Sequence, residues 1–338
     1  MAIRALEGDL IENMKRVIFD VKGLVHPPNR IIAYPRFIPD SSGNRKRKKA
    51  SYWKVYSLTE RFKFLQRDLP HYVVHDPIFD TTLCEVPVED VIKHYKPVEK
   101  LQRLRSSKSL STLENRALQL AELLREKANL PWNALGISGS ILARLSAASS
   151  DIDPIIYGSQ NCLKAHAALE NLLKHKRGPL RPYTQDDLKI LFEFRSKDTA
   201  MNFEDFVRTE SRKVMQGKFN GTDYFMRFVK SWNETSEKYG DVRYGNLGYA
   251  RIRATVADDS EAIFTPCKYK VEKVTVVEGP RPAVSEIVSF RGRFCEQARA
   301  GETVVAQGKV ERVRDSKKNH EHFRILLGNK PSDYMVLA

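Results

Sequence analysis

The chain has 338 residues, about the length of two domains, and 41% of them are hydrophobic, which is enough to build ordinary buried cores. No stretch approaches the roughly 20 uninterrupted apolar residues of a membrane helix, and the four cysteines form no CxxC pair. We therefore expect a reduced, cytoplasmic protein without a membrane span, a disulfide framework or a zinc site. The formal net charge of +15 predicts a polyanionic partner, either nucleic acid or a nucleotide.

The first predicted domain covers residues 1–105. Short strand-like runs separated by Pro, Gly and Ser clusters indicate a β-rich or α+β module. A hairpin predicted between Pro35 and Trp53 carries the basic run RKRKK at 45–49. We expect this run to form a mobile basic tip that could bind nucleic acid.

The second predicted domain, residues 106–278, begins with a helix marked by the capping box Ser111-x-x-Glu114 and ended by Pro131. The elements predicted next are a buried strand, a helix, a second strand and an amphipathic helix, at about 134–137, 140–145, 151–157 and 161–175. This alternation predicts an α/β (α+β) core flanked by small β-rich modules.

The third predicted domain, residues 279–338, is a series of short strands. It indicates a small β-barrel-like module, for which an oligonucleotide-binding barrel is one possible topology.

Four residues of the second domain carry the predicted chemistry. Gly139 and Ser140 follow a buried strand and open a helix, so backbone amides and a hydroxyl can approach a phosphate there. Asp151 and Asp153 lie two residues apart in the next strand, so both carboxylates project from one face. Hard oxygen ligands of this kind suit Mg²⁺ or Mn²⁺. The pattern predicts a metal site beside a nucleotide-binding turn.

Gly139-Ser140 followed by Asp151-Ile152-Asp153 resembles the signature of the DNA polymerase beta nucleotidyltransferase superfamily. The whole chain is similar to archaeal predicted nucleotidyltransferases that are often labelled DNA polymerase beta subunits. The resemblance implies a core with a mixed sheet and a metal-dependent enzyme. Such an enzyme moves a nucleoside monophosphate from a nucleoside triphosphate to a hydroxyl acceptor, here expected to be nucleic acid of the RNA or tRNA kind.

The resemblance also implies a third carboxylate, for which two residues compete. Asp223 opens a predicted strand with Arg227, a possible phosphate ligand, on the same face. Glu261 precedes the segment Phe264-Thr265-Pro266-Cys267-Lys268-Tyr269, which is similar to the Pro-Cys-Tyr strand of archaeal CCA-adding enzymes. Those enzymes have an aspartate where this chain has Ile263, so Glu261 is the closest acid.

Basic residues after the carboxylate strand are predicted either to line a groove leading to it or to form a solvated helical face; they are Lys174, Lys176, Arg177, Arg181, Arg208, Arg212, Lys213 and Lys218. The alternative to an enzyme is a nucleic-acid-binding protein that keeps the nucleotidyltransferase fold without turnover. A toxin-type enzyme that modifies protein or tRNA is a third class left open by the sequence.

Overall fold

The structure is a computed structural model that describes residues 3–175, 177–198 and 200–338. Lys176, one of the predicted groove residues, lies outside the described residues. The helices are α1 (Leu58–Asp68), α2 (Pro97–Ser106), α3 (Thr112–Ala128), α4 (Gly139–Ala143), α5 (Ser159–Lys174), α6 (Gln185–Arg195) and α7 (Phe203–Glu210). The strands up to residue 157 are β1 (Leu10–Asn13), β2 (Ile18–Val21), β3 (Arg30–Pro39), β4 (Arg45–Arg47), β5 (Ala50–Lys54), β6 (Val73–Asp76), β7 (Thr81–Pro87), β8 (Val91–Tyr95), β9 (Leu135–Ile137) and β10 (Pro154–Tyr157). The later strands are β11 (Leu180–Arg181), β12 (Gln216–Phe219), β13 (Thr222–Phe225), β14 (Arg227–Val229), β15 (Val242–Asp258), β16 (Cys267–Glu278), β17 (Val284–Ser289), β18 (Thr303–Asp315), β19 (His320–Leu327) and β20 (Tyr334–Leu337).

The chain folds into two compact units, and each unit draws on three separate parts of the sequence. The first unit consists of the described residues of Met1–Val74, Leu83–Pro182 and Val214–Ser236. The second unit consists of the described residues of His75–Thr82, Tyr183–Lys213 and Glu237–Ala338. This division differs from the three consecutive segments drawn from the sequence, because strands distant in the chain pair with one another. The predicted mixture of helices with several sheets is confirmed.

The N-terminal sheet of the first unit contains eight strands, with β4-β5-β3-β2-β1-β8 as its main path and β6 and β7 beside it. The hairpin of β4 and β5 carries the basic run at 45–49. Arg45 donates to Ser150 Oγ at 2.8 Å, and Arg47 binds Glu12 at 2.8 Å. The prediction of a mobile basic tip is therefore wrong for Arg45 and Arg47, whose guanidinium groups are bound within the fold.

A three-stranded mixed sheet forms the centre of the first unit. β10 pairs antiparallel with β9 and parallel with β14. The capping box of Ser111 and Glu114 starts α3 as predicted, and α3 packs on α5, which contacts β10 and β14. The central strand is buried from end to end, because its apolar side chains meet helices on one side and neighbouring strands along both edges.

The second unit is built on a closed barrel. β15 is 17 residues long and pairs with both β16 and β18, which closes the ring β15-β16-β17-β19-β18. β17 and β19 run parallel, whereas the other pairs of the ring are antiparallel. This connectivity is that of a five-stranded oligonucleotide-binding barrel. The barrel begins at Val242, so it takes in strands that the sequence had assigned to the core.

Among the helices of the described residues, no segment combines the length and the apolar character that crossing a bilayer requires.

Candidate catalytic carboxylate site

The turn between β9 and α4 brings the two predicted motifs together. The Ser138 amide donates to the Asp153 carbonyl at 2.8 Å, which fixes the turn beside the carboxylate strand. Gly139 has φ +60°, and a β-carbon added there would lie 1.7 Å from Asp153 Oδ2. A glycine is required because the Asp153 carboxylate lies against the Gly139 α-carbon. The site therefore joins Asp153 directly to the start of α4.

Ser140 occupies the first turn of α4 with a hydroxyl that lacks a partner. Its side chain is 1% exposed, and its Oγ forms no hydrogen bond with any described residue. No side chain of the described residues caps this turn through a hydrogen bond either. Buried polar groups are nearly always hydrogen-bonded, and an unpaired one costs about 1–3 kcal/mol. A ligand oxygen at this turn would satisfy the hydroxyl.

Asp151 and Asp153 are close enough to repel one another. Burial, followed by the charge of Asp151, raises the pKa of Asp153 to about 7. The cations that oppose this shift are Lys54, Arg227 and Arg36. Two like charges that share a site favour the binding of a proton or a cation. Both residues lie immediately before β10, which begins at Pro154, so the prediction that they lie within a strand is wrong; Ile152 between them bridges to Tyr224.

Two of the three cations come from the N-terminal sheet, and sequence analysis missed both. Lys54, at the end of β5, is 8% exposed, and its ammonium lies 4.9 Å from the centre of the Tyr56 ring. Arg36, in β3, lies 5.0 Å from the same ring. Neither residue belongs to a motif, so only the pairing of β3 with β5 could have indicated that they share a site.

Arg227 is the cation that the sequence did identify. Its guanidinium lies 3.3 Å from Glu7 and 3.6 Å from Asp20, both in the N-terminal part of the first unit. Burial disfavours this charge, but Asp20 and Glu7 reverse the effect and raise the pKa of Arg227. Arg227 therefore links the carboxylate strand to the N-terminal sheet and remains charged.

Asp223 lies on the strand that runs beside the carboxylate pair. The Ile152 amide donates to the Asp223 carbonyl at 2.9 Å, and Ile152 pairs in parallel with Tyr224. This register sets Asp223 next to Asp151, and neighbouring strands are about 4.8 Å apart. The Asp223 carboxylate is half-exposed and forms an ion pair with Lys218 at 3.1 Å.

Glu261, the other predicted third carboxylate, belongs to the second unit. It lies in the turn before β16, and its carboxylate is 4.0 Å from the Lys268 ammonium. Among the described residues, no group of three or more His, Cys, Asp or Glu side chains is arranged to hold a metal ion. The structure thus places Asp223, and not Glu261, on the strand beside Asp151.

Several basic residues predicted to line a groove have structural partners in the second unit instead. Arg212 binds Glu302 at 2.6 Å, and Lys213 is buried with its ammonium 2.6 Å from Glu210. Arg208 donates to the Leu337 carbonyl at 3.4 Å. The groove prediction is wrong for Arg212 and Lys213, because each is neutralised by its own carboxylate.

No family model and no solved structure matches the chain. The chain is 32% identical over 329 residues to the uncharacterized protein MJ1086 of Methanocaldococcus jannaschii, in an alignment that covers 95% of this chain and 94% of that protein. Identity of this level over nearly the full length of both proteins means that the chain belongs to the same family as MJ1086.

Proposed function

We propose that the chain is a metal-dependent nucleotidyltransferase that moves a nucleoside monophosphate from a nucleoside triphosphate to a hydroxyl of a nucleic acid acceptor, of the RNA or tRNA kind. One observation carries the proposal. A buried hydroxyl without a partner, at Ser140, lies on the turn that packs against a pair of repelling carboxylates. Phosphate oxygens would satisfy the hydroxyl, and divalent cations would relieve the repulsion.

The nucleotide-binding part of the site is the Gly139–Ser140 turn. The Ser140 hydroxyl donates to a phosphate oxygen, and the uncapped amides of the same turn donate alongside it. Because Gly139 has no side chain, the phosphate chain and the Asp153 carboxylate can approach the same backbone. The turn holds the triphosphate with its α-phosphorus toward the carboxylates.

The metal-binding part is formed by Asp151 and Asp153, with Asp223 as the proposed third carboxylate. Their hard oxygen atoms fit Mg²⁺ or Mn²⁺, and the raised pKa of Asp153 is what two carboxylates acquire without a cation between them. When bound, the metal supplies charge stabilisation to the phosphate oxygens. We choose Asp223 over Glu261 because Asp223 lies next to Asp151 on the adjacent strand.

The acceptor hydroxyl attacks the α-phosphorus and releases its proton to solvent, so a new oxygen–phosphorus bond forms as the bond to pyrophosphate breaks. Lys54 and Arg36 act on the charge of Asp153 from the N-terminal sheet. We assign them the task of balancing the negative charge that gathers when a triphosphate enters beside two carboxylates. Lys54 is buried and Arg36 is half-buried, and both contact the Tyr56 ring.

The test is a transfer assay with each labelled nucleoside triphosphate, Mg²⁺ or Mn²⁺, and total RNA. We expect product from the wild type and a loss on the order of 10³-fold in Asp153→Asn, because one site of charge stabilisation is removed. The matched control is Asp186→Asn on α6, whose carboxylate is 90% exposed, and we expect it to retain full activity. Equal turnover in Asp153→Asn and the wild type would refute the proposal.

The second candidate function is a nucleic-acid-binding protein that keeps this site without turnover. It is favoured by the lack of a three-ligand metal group among the described residues. It predicts RNA binding that weakens steeply as salt rises, with no pyrophosphate released from any nucleotide. In that case the Asp151→Ala/Asp153→Ala variant would bind RNA as the wild type does.

A further inference from the structure

A basic cavity lies in the first unit at the far end of α4 from Ser140. It has a volume of about 30 Å³, and its charged lining consists of Lys93, Lys96, Glu99, Lys100, Arg103 and Arg144. This volume is roughly twice what one buried water requires. Sequence analysis did not identify the cavity, because its residues come from β8, α2 and the end of α4.

Positive charge exceeds negative charge in this lining, which has five Lys and Arg side chains for one carboxylate. Glu99 is shared by Lys96 at 3.5 Å and Arg103 at 3.3 Å, and Lys100 binds Glu114 at 2.8 Å. Lys93 and Arg144 form no ion pair with any described residue. Two cations of the cavity are therefore without a carboxylate partner, and the Lys93 ammonium lies 4.6 Å from the centre of the Tyr95 ring, which also lines the cavity.

Lys93 is surrounded by other cations, which favours the binding of an anion in the cavity. Burial lowers the pKa of its ammonium, and the charges of Arg144, Arg47 and Arg103 lower it further against the opposing effect of Glu12. Glu12 itself is held by Arg47 and Tyr95. The cations near Lys93 thus repel one another, and a bound anion would remove that repulsion.

The location of the cavity separates its ligand from the nucleotide. Leu142 and Arg144 line the cavity from the end of α4, whereas Ser140 lies at its start. Leu142 and Arg144 follow Ser140 by two and four residues, a rise of about 3 Å and 6 Å along a helix. We assign a phosphate in the cavity to another part of a longer ligand than the group at Ser140.

We propose that this cavity, the phosphate pocket, binds a backbone phosphate of the nucleic acid acceptor. The inference rests on the proposed function and deepens it, since it assigns the acceptor a contact one short helix away from the nucleotide. Lys and Arg side chains are the usual ligands of backbone phosphates, and the excess of positive charge in the chain favours such a partner.

The test measures binding of a labelled single-stranded RNA oligonucleotide at a series of salt concentrations, without nucleotide or divalent metal. In Lys93→Ala/Arg144→Ala we expect a higher Kd and a slope of log K against log salt that is smaller by about 0.7, since each phosphate neutralised on a single strand contributes about 0.7 and the pocket binds one. The matched control, Lys63→Ala/Lys164→Ala, removes the same charge from exposed positions on α1 and α5 and should keep the wild-type slope.

A second variant, Lys93→Gln/Arg144→Gln, removes the charge with less loss of side-chain volume and should reproduce the reduced slope. Equal slopes in the wild type and both pocket variants would overturn the proposal. Loss of inorganic tripolyphosphate binding in these variants with an unchanged RNA slope would also overturn it, because the pocket would then hold free polyphosphate. The assay requires no turnover, so a reduced slope in a protein without transferase activity would support the pocket while refuting the proposed function.

Discussion

The Glu311 cluster in the barrel of the second unit and the carboxylate site of the first differ in whether their buried polar groups have partners. In the barrel, Glu311 lies 2.9 Å from the Lys309 ammonium and 2.8 Å from the Arg324 guanidinium, and all three side chains are buried. At the site, Ser140 is buried without a partner and Asp153 faces the like charge of Asp151. Polar groups that satisfy one another hold a fold together, whereas groups left unsatisfied mark a place for a ligand.

The largest expected effect tests the barrel side of this comparison. Glu311→Ala leaves the charges of Lys309 and Arg324 buried without their carboxylate, and we expect a loss of about 3–5 kcal/mol in the free energy of unfolding. Urea denaturation measures the change. The control is Glu321→Ala, which breaks the exposed ion pair with Arg314 and should cost no more than about 1 kcal/mol. Similar losses in the two variants would contradict the prediction.

Gly139→Ala is expected to lower the free energy of unfolding by about 2–4 kcal/mol, from strain at positive φ and from collision with Asp153. Transferase activity should be lost with it, because the carboxylate is displaced. Gly221→Ala provides the control, since Gly221 has φ +79° with nothing within 4 Å of an added β-carbon. It should cost about 1–2 kcal/mol and leave transfer intact. The prediction fails if Gly139→Ala retains wild-type transfer.

Asp153→Asn should raise the free energy of unfolding of the metal-free protein at pH 8 by about 1–2 kcal/mol. A shift of one pKa unit corresponds to about 1.4 kcal/mol, and we reduce the total because Asp153 is partly exposed to solvent. The pKa of Asp153 rises from 3.8 to about 7 on folding, so the folded state holds the extra proton between these values. The free energy of unfolding of the wild type therefore falls as pH rises from about 4 to 7 and is then level. Urea denaturation across this range should show that this decline is absent from Asp153→Asn and retained by Asp186→Asn. If the free energy of unfolding depended on pH identically in the wild type, Asp153→Asn and Asp186→Asn, the prediction would be contradicted.

Ser140→Ala has the smallest expected effect on stability. Removing a buried hydroxyl that lacks a partner should change the free energy of unfolding by no more than about 1 kcal/mol, in the stabilising direction, while the KM for the nucleoside triphosphate rises. Ser138→Ala is the neighbouring control, because its hydroxyl donates to the Gly8 carbonyl at 2.6 Å. That variant should lose about 0.5–1.5 kcal/mol. Destabilisation of both variants to the same extent would show that Ser140 has a structural role.

Local sequence was enough to identify the residues that meet at the candidate site. Gly139 and Ser140 open α4 directly after β9, and Asp153 immediately precedes β10, so short-range spacing determines how they meet. Lys54 and Arg36 could not be found in this way, because strands that pair with each other, rather than any motif, place them near Asp153. The choice of Asp223 likewise depends on a register between strands some 70 residues apart, which local periodicity does not record.

The barrel likewise depends on pairing between distant strands, which the local sequence does not specify. Its strands were recognisable as strands, but the sequence placed the module at 279–338 and left out β15 and β16. Closure depends on the pairing of β15 with β18, and no pattern within either strand specifies that partner. Arg212 was misjudged for the same reason, since its partner Glu302 lies far along the chain, whereas Lys213 is buried beside Glu210 at the end of α7.

The central position of β10 sets the order in which the site can form during synthesis. β9 and β10 are complete once residue 157 has been made, but β14 is added only with residues 227–229, after the chain has contributed α6 and α7 to the other unit. A nascent chain that has reached Pro182 therefore carries Asp151 and Asp153 beside an open strand edge. Closing so long a loop is slow relative to local pairing. The site accordingly matures late, and no single cut in the chain separates the two units.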